Sequence, residues 1–188
     1  MRIIAGQYRS RSLRALPGMD TRPTSDRLRE TLFNVLTAGD PGVLMGTVWL
    51  DLFAGTGAVG LEALSRGARW VYFVEGSRRA AATIRDNLGA LGVQDGFQLV
   101  QRDAIAALHM LQETGEVCSH CYIDPPYRRT DLYGNTLSFL AQSRLLAAAS
   151  IVSVEHHKLY DPGEAFGALR RYRVLVQGDA SLSFYRLR

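Results

Sequence analysis

Apolar and polar residues recur with two different periods along this chain, and the changes of period predict its helices and strands. Residues 2–16 alternate basic and apolar positions around Gly6, a pattern that favours a short hairpin. A helical pattern follows and ends at about Thr37, with Thr24 or Ser25 as its cap. The apolar stripe of this helix consists of Leu28, Leu32, Val35 and Leu36.

After a linker rich in turn residues at 39–46, short apolar runs alternate with helical patterns. The apolar runs predict strands at residues 47–53, 70–74, 97–101, 117–123 and 151–155. The helical patterns lie between them, at residues 57–65, 78–91, 104–112 and 136–149. Successive strand–helix units imply a Rossmann-like, mostly parallel α/β sheet with helices on both faces. Segments 170–176 and 181–187 flank Gly178 and Asp179, which predicts a C-terminal antiparallel hairpin.

The excess positive charge of the chain lies at its N-terminus. The net charge is +4, and residues 1–30 carry seven arginines against three acidic residues, whereas the rest of the chain balances at fifteen of each sign. A basic cluster of this kind is typical of nucleic-acid binding, although a solvated tail has the same composition. We therefore expect a small RNA-binding extension over residues 1–40, with a hairpin and a helix, and a sheet domain over residues 41–188.

Two further features narrow the class of protein. The two cysteines, Cys118 and Cys121, are too few for a zinc site, and on a strand they would point to opposite faces, where a disulfide is strained. We expect two buried or half-buried thiols and no metal.

The chain has no apolar run of about 18 residues and its first residues lack the apolar core of a signal peptide, so we expect a cytoplasmic protein.

A glycine-rich segment lies between the first predicted strand and its helix. Gly55, Gly57 and Gly60 spell G-x-G-x-x-G, and Glu75 stands at the end of the next strand. Glycine lets the backbone approach a ligand, the helix N-terminus favours an anionic group, and a carboxylate after the second strand accepts hydrogen bonds from ribose hydroxyls. The pattern predicts a nucleotide-like cofactor but fits a dinucleotide as well, and a tight turn without a ligand is the plain alternative.

Two other carboxylates favour S-adenosylmethionine over a dinucleotide. Asp51 stands just before the glycines, where it would repel a pyrophosphate but suits the cationic amino-acid end of S-adenosylmethionine. Asp103 follows the third strand, where it can accept a hydrogen bond from an adenine amino group while the backbone N–H of Ala104 donates to the ring. Asp103 also suits an ordinary helix cap, and the two roles are compatible.

The most specific motif, Asp124-Pro125-Pro126-Tyr127, follows the fourth strand at the edge where parallel sheets bind ligands. An exocyclic amino group of a base is a poor nucleophile because its lone pair is delocalised into the ring. Asp124 and the carbonyl of Pro125 can accept its two hydrogens, and the prolines hold this geometry without competing N–H groups. Tyr127 offers a face on which a flipped base can stack. A rigid turn is the plain alternative.

These motifs resemble those of class I amino-methyltransferases, and the N-terminal block is more specific. Residues 2–6, 9–11 and 21–36 closely resemble the RsmD family, bacterial 16S ribosomal RNA guanine-N2 methyltransferases, as do residues 154–156. The resemblance covers nearly the whole chain. The predicted strand at 117–123 departs from it, since it is more polar than the corresponding strand of the family.

The resemblance implies a class I methyltransferase fold and methyl transfer from S-adenosylmethionine to N2 of a specific guanine in 16S ribosomal RNA. The small ribosomal subunit or its assembly intermediate would carry that guanine. The implied cofactor-binding residues are Asp51, Phe53, Gly55, Gly57, Glu75, Asp103 and Ala104. The implied catalytic residues, which would hold the guanine, are Asp124, Pro125, Pro126 and Tyr127. The N-terminal segment would hold RNA, through Arg2, Arg9, Arg11, Arg14, Arg22 and Arg27. The position of Arg128 directly after the motif also suits a phosphate contact, and a merely exposed side chain is the equal alternative.

The residues alone leave other functions open. Adenine N6, cytosine N4 and a protein glutamine amide all present a planar amine to the same motif, so the motif does not separate them. A non-catalytic RNA-binding assembly factor and an NAD-dependent oxidoreductase are the remaining alternatives. The basic N-terminal segment argues against a small or acidic protein substrate, and a nicotinamide enzyme leaves the motif after the fourth strand unexplained.

Overall fold

A computed structural model of the protein describes residues 1–16 and 25–188. Its helices are Asp26–Leu36 (α1), Ala58–Ser65 (α2), Arg78–Leu91 (α3), Ala104–Gln112 (α4) and Asp131–Gln142 (α5). Its strands are Val48–Leu52 (β1), Trp70–Val74 (β2), Phe97–Val100 (β3), Cys118–Ile123 (β4), Leu146–His157 (β5), Ala165–Phe166 (β6), Leu169–Gln177 (β7) and Ala180–Leu187 (β8). None of the helices in the described ranges is long and apolar enough to cross a membrane. Arg22 and Thr24, both singled out above, lie outside the described residues.

The described strands form one mixed sheet in the order β3-β2-β1-β4-β5-β8-β7-β6. Strands β1 to β5 are parallel, whereas β8 runs antiparallel to both β5 and β7. The predicted α/β sheet, mostly parallel with a C-terminal antiparallel hairpin, is therefore confirmed. Because β1 to β5 run in one direction, their C-terminal ends meet along one side of the sheet, which we call the carboxyl edge.

Helices cover both faces of the sheet, as the strand–helix alternation predicts. Trp49 of β1 packs in a hydrophobic cluster with α1, α2 and α3, and its neighbour Leu50 packs in a second cluster with α4 and α5. Successive side chains of a strand point to opposite faces, so each buried strand contributes to both clusters. The two clusters hold the loops at the carboxyl edge between packed helices.

Local end signals in the sequence place most element boundaries. The Ser25 hydroxyl accepts a hydrogen bond from the backbone N–H of Leu28 at 3.1 Å and begins α1. Gly92 ends α3 with a φ of 76°, and Gly178 turns between β7 and β8 with a φ of 65°. Both angles lie in the left-handed region that favours glycine. These three predicted boundaries are confirmed.

The predicted helix at 136–149 is wrong at both ends. The helix α5 begins at Asp131 and ends at Gln142, and β5 begins at Leu146 rather than at Ile151. The alanines at 147–149 favour a helix locally, but Ser150 fixes them in an irregular part of the sheet. Its hydroxyl accepts from the N–H of Ala147 at 2.9 Å and donates to the carbonyl of Cys118 at 2.7 Å. The short strand β6 was not predicted.

The two cysteines are buried and form no disulfide. The prediction that they point to opposite faces is wrong, because both pack in the cluster that contains α4 and α5. The pairing of β4 with β5 is irregular between Cys118 and His120, and this irregularity interrupts the regular alternation of side chains.

The first sixteen residues, which we call the N-terminal arm, fold back on themselves and pack on α2 and α3. Arg2 and Ser12 form an antiparallel bridge, in agreement with the predicted hairpin, and Ile3 and Leu13 are buried in the cluster of α1 to α3. Gly6 has a φ of 84°, and a Cβ there would lie 1.8 Å from the carbonyl oxygen of Ser65. No other residue type fits this contact. The division between extension and sheet domain at residue 40 stays a prediction.

Candidate active site

The glycine loop between β1 and α2 combines unusual backbone angles with close packing. Phe53 has a φ of 61°, and Gly55 and Gly57 have φ values of 57° and 77°. A non-glycine residue with a positive φ is strained, and such strain concentrates at ligand sites. A Cβ at Gly60 would lie 2.3 Å from the ring of Phe73, so Gly60 lets α2 pack on the sheet. A Cβ at Gly55 would approach only the carbonyl oxygen of Phe53, at 3.9 Å. Gly55 therefore faces open space that a ligand can fill.

Asp51 lies beneath this loop as a buried carboxylate. Its Oδ2 accepts a hydrogen bond from the N–H of Gly60 at 2.9 Å, and the side chain is only 2% exposed. Burial raises the pKa of Asp51 to about 8; the Gly60 hydrogen bond lowers it, and the neighbouring charge of Glu75 raises it further. An adjacent cation would stabilise the ionised form of a buried carboxyl group whose pKa is raised in this way.

Glu75 connects the glycine loop to the next helix. Its Oε2 accepts from the N–H of Gly55 at 2.8 Å, and its Oε1 accepts from the N–H of Ser77 at 2.7 Å. An ionised carboxylate has about four acceptor positions, so these two bonds leave capacity for ligand hydroxyls. The position of Glu75 at the carboxyl edge of β2 is the one predicted from the sequence.

Asp103 lies after β3 and caps α4, accepting from the N–H groups of Ile105 at 3.0 Å and Ala106 at 3.4 Å. The helix-cap alternative is thus realised, and the side chain remains exposed. Ala104, the first residue of α4, is buried. Both residues lie at the same edge as Glu75, because β3 pairs with β2 in parallel.

The motif after β4 lies directly beside the glycine loop. Leu52 pairs with Ile123, and the N–H of Asp124 donates to the carbonyl of Leu52 at 3.4 Å. Pro125 is buried, whereas Pro126 and Tyr127 are exposed. The Tyr127 side chain is 38% exposed, which leaves ring surface available for stacking. Predicted cofactor residues and predicted catalytic residues therefore share one edge of the sheet.

A buried carboxylate beside this motif was not among the predicted site residues. Glu155 of β5 is 3% exposed and accepts hydrogen bonds from the hydroxyls of Tyr122 and Tyr127, the latter at 3.2 Å. Burial, with the charges of Glu155 and Asp124, raises the pKa of Tyr127 far above its usual range. Glu155 thus holds the Tyr127 hydroxyl in its protonated, donating form. The signal in the sequence was an acidic residue inside the apolar run at 151–155.

Tyr133 of α5 is a buried tyrosine whose hydroxyl is influenced by the charges of Asp124 and Glu155. Its hydroxyl is buried and has no hydrogen-bond partner among residues 1–16 and 25–188. Burial, followed by the charges of Asp124 and Glu155, raises its pKa strongly. The ring packs against Tyr160 with 4.9 Å between ring centroids.

Some of the predicted RNA-binding arginines already form hydrogen bonds or ion pairs within the protein, and others do not. Arg14 forms an ion pair with Asp86 at 2.7 Å, and Arg11 donates to the carbonyl of Ala90 at 2.6 Å. The side chains of Arg2, Arg9, Arg27 and Arg128 are exposed and make no hydrogen bond or ion pair with any residue that the structure describes. Arg129, which follows Arg128, forms a bidentate pair with Asp131. Exposed, unpaired guanidinium groups are the ones available to phosphates.

One buried carboxylate attaches the N-terminal arm to the rest of the protein. Glu62 of α2 accepts from the N–H groups of Ile4 at 2.8 Å and Ala5 at 3.0 Å. It also pairs with Arg66 at 2.8 Å and lies 3.6 Å from Arg29, whose side chain is fully buried like its own. The arm, α1 and α2 therefore meet at a single charge cluster.

The carboxyl edge of β1 to β4 suits a ligand with a cationic amino-acid end and a ribose. Asp51 is a buried carboxyl group whose ionised form a cation would stabilise, Glu75 has acceptor positions left for hydroxyls, and Gly55 borders open space. These properties fit S-adenosylmethionine, whereas a pyrophosphate would face the Glu75 carboxylate and would oppose ionisation of Asp51.

Comparisons with known proteins agree with this geometry. A family model described as Conserved hypothetical protein 95 matches residues 1–186. Ribosomal RNA small subunit methyltransferase D of Escherichia coli K12 is 37% identical over 155 residues, which cover 82% of this chain and 74% of that protein. The structure of yhhF from Escherichia coli superposes with a TM-score of 0.84 at 32% identity, covering 100% of this chain and 97% of that chain. A SAM-dependent methyltransferase from Agrobacterium tumefaciens shares the fold, with a TM-score of 0.60, 18% identity, and coverage of 85% and 60%.

Proposed function

The chain belongs to the family of Conserved hypothetical protein 95, the RsmD family, and on this basis we propose that it methylates the exocyclic N2 of a guanine in 16S ribosomal RNA. The methyl donor is S-adenosylmethionine. The substrate in this proposal is the RNA of the small ribosomal subunit or of an assembly intermediate. The observation that carries the proposal is the adjacency of the Asp124-Pro125-Pro126-Tyr127 motif and the glycine loop.

Each motif residue has a distinct task in the proposed reaction. The carboxylate of Asp124 and the carbonyl of Pro125 accept the two hydrogens of the guanine amine and orient its lone pair. Tyr127 stacks on the base, and Glu155 holds the Tyr127 ring through its hydroxyl. In this proposal the carboxylate of Asp124 also receives the proton that the methylated amine loses, a task for which water is the alternative acceptor.

The proposed cofactor residues bind S-adenosylmethionine before the methyl group is transferred. When bound, S-adenosylmethionine supplies an electrophilic methyl group. Asp51 pairs with its ammonium group, Glu75 accepts from the ribose hydroxyls, and Asp103 with Ala104 reads the adenine. Phe53, Gly55 and Gly57 shape the loop around it, since their backbone angles are left-handed. These tasks bring the methyl group and the amine together, and alignment of the two reactants supplies much of the rate enhancement.

The proposed function is tested by methylation of ribosomal particles. The protein is incubated with labelled S-adenosylmethionine and small subunits from cells that lack the enzyme, and the RNA is digested to nucleosides. We expect label in N2-methylguanosine. Parallel reactions contain naked 16S RNA, DNA and release factors. Label confined to DNA, to protein or to another nucleoside contradicts the proposal.

Cofactor binding should depend on pH through Asp51. Because burial raises the pKa of Asp51 to about 8, this carboxyl is mostly protonated at pH 7. An ammonium group beside it favours the ionised form, so binding releases a proton and affinity rises with pH below 8. We expect the affinity for S-adenosylhomocysteine to increase up to about tenfold from pH 6 to pH 7. Calorimetry in buffers of different ionisation enthalpy measures the released proton.

The matched variant is Asp51→Asn, which keeps an acceptor for the N–H of Gly60 but carries no proton to release. We expect its affinity to be weaker and nearly independent of pH between 6 and 7. If the variant still releases a proton on binding, a group other than Asp51 titrates.

The exposed arginines of the N-terminal segment should determine the salt dependence of RNA binding. We expect the triple change of Arg2, Arg9 and Arg27 to Gln to weaken RNA binding and to reduce the slope of log K against log salt by about 2 to 3. Arg14 contributes less in this prediction, because it is already paired with Asp86. Arg144→Gln, which changes an arginine 78% exposed elsewhere on the surface, is the control. An equal effect of the control contradicts the assignment.

A further inference from the structure

A second pocket, of about 490 Å³, lies at the opposite end of the strands from the candidate active site. Its walls come from the end of α1, the loop before β1, the first half of β4, the adjoining part of β5, and the C-terminal strands β7 and β8. We call it the basal pocket. Its volume lies in the range of about 300 to 1,000 Å³ that small-molecule sites occupy.

Two irregularities of the sheet meet at the basal pocket. The β4–β5 register shifts between Cys118 and His120, and the β7–β8 register shifts between Arg171 and Arg173. The second shift leaves Tyr172 without a partner on β8. His120, Tyr172 and Arg173 all line the pocket. Bulges bend a strand and redirect side chains, and they are frequent next to functional sites.

The charge of the basal pocket is entirely positive. Arg173 and Arg186 are its charged lining residues, and no carboxylate is among the residues that form its walls. Neither arginine forms an ion pair within the described residues, although the Arg186 guanidinium lies 4.7 Å from the centroid of the Tyr172 ring. Two unpaired guanidinium groups beside an aromatic ring suit a phosphate attached to a planar group.

The floor of the pocket contains a buried polar atom that lacks a partner. His120 is 6% exposed, and its Nδ1 makes no hydrogen bond with any described residue. Its ring stacks on Trp49 with 4.5 Å between ring centroids. Buried polar atoms are nearly always hydrogen-bonded in folded proteins, so the unsatisfied Nδ1 makes His120 an unusual residue in the floor of the pocket.

We propose that the basal pocket binds a nucleotide. Arg173 and Arg186 hold its phosphate, and the apolar side chains of Leu36 and Ile151 contact its base. The nucleotide is either free or a unit of an RNA chain, since both present the same chemistry. The site is separate from the carboxyl edge and does not depend on methyl transfer.

Trp49 provides the readout, because its ring contacts His120. In a Trp70→Phe protein, Trp49 is the remaining tryptophan, and its fluorescence is followed during titration with adenosine monophosphate. We expect a saturable change, at least tenfold weaker binding in the Arg173→Gln/Arg186→Gln variant, and unchanged binding in Arg170→Gln. Arg170 is an exposed arginine of the same strand that does not line the pocket. Thermal melting verifies that all variants are folded.

Further titrations test whether the ligand is a nucleotide and whether that nucleotide is free or part of an RNA chain. Absence of a saturable change, equal affinity in the double variant, or equal binding of inorganic phosphate overturns the proposal. Displacement of the mononucleotide by an oligoribonucleotide assigns the pocket to RNA, whereas binding without displacement assigns it to a free nucleotide. Asp124→Ala should leave the fluorescence change intact, so failure of the methylation assay and failure of this pocket are distinguishable.

Discussion

Replacing Asp124 by alanine is expected to lower the rate of methyl transfer by about a thousand-fold while leaving cofactor affinity unchanged. The carboxylate is proposed to orient the guanine amine and to receive its proton, and both tasks are lost with it. Cofactor affinity is proposed to depend on Asp51 of β1, on Glu75 directly after β2, and on Gly55 of the glycine loop. Single-turnover methylation measures the rate, and calorimetry with S-adenosylhomocysteine measures the affinity.

Asp124→Asn separates orientation from proton transfer. The amide keeps one acceptor oxygen and loses the negative charge, so we expect a rate between those of the alanine variant and the parent. Asp131→Asn is the control, because this exposed carboxylate follows the motif closely and pairs only with Arg129 among the described residues. Near-normal turnover in Asp124→Ala would remove Asp124 from the mechanism.

Replacing Glu62 by alanine is expected to reduce the free energy of unfolding by about 3 to 5 kcal/mol. Arg29 is fully buried and would lose the carboxylate 3.6 Å from its Nε. The N–H groups of Ile4 and Ala5 would lose their acceptor at the same time. Arg29 would keep its ion pair with Asp26 at 2.9 Å, but its Nε would face no carboxylate. Loss of one partner of a buried charge is among the few changes that destabilise a protein this strongly. Urea denaturation measures the change.

The same substitution should detach the N-terminal arm before the sheet unfolds. We expect trypsin to cleave after Arg9 or Arg11 faster in Glu62→Ala than in the parent. Glu116→Ala removes the partner of Arg69 in a pair that is 58% and 41% exposed, and it should cost about 1 kcal/mol or less. If Glu62→Ala costs no more than this control, the arm is held by its apolar contacts alone.

Sequence patterns predicted the order of elements well where the end signals are local. Ser25, Gly92 and Gly178 act through backbone groups within a few residues, so their effects are visible in the sequence. The segment 143–150 is different, because its conformation depends on a hydrogen bond from Ser150 to Cys118. That contact joins residues far apart in the chain, and no periodicity reports it.

The candidate site shows the same division between local and distant contacts. Asp51 stands near the end of the first predicted strand, and Glu75, Asp103 and Asp124 follow later strands. The rule that parallel strands end at one edge places all four together. Glu155 was missed as a site residue because its partners, Tyr122 and Tyr127, come from the neighbouring strand and the loop after it. Pairing of two hydroxyls with one buried carboxylate is visible only once the strands are aligned.

The attachment of the N-terminal arm has a consequence for the order of events during translation. The backbone N–H of Ile4 donates to the side chain of Glu62, which lies 58 residues later in the chain. The backbone N–H of Arg14 donates to the side chain of Asn87, which lies 73 residues later. The N-terminal arm therefore cannot dock completely until α3 has been synthesised. Until α2 and α3 emerge from the ribosome, this arginine-rich segment of the nascent chain lacks the acceptors that later hold it.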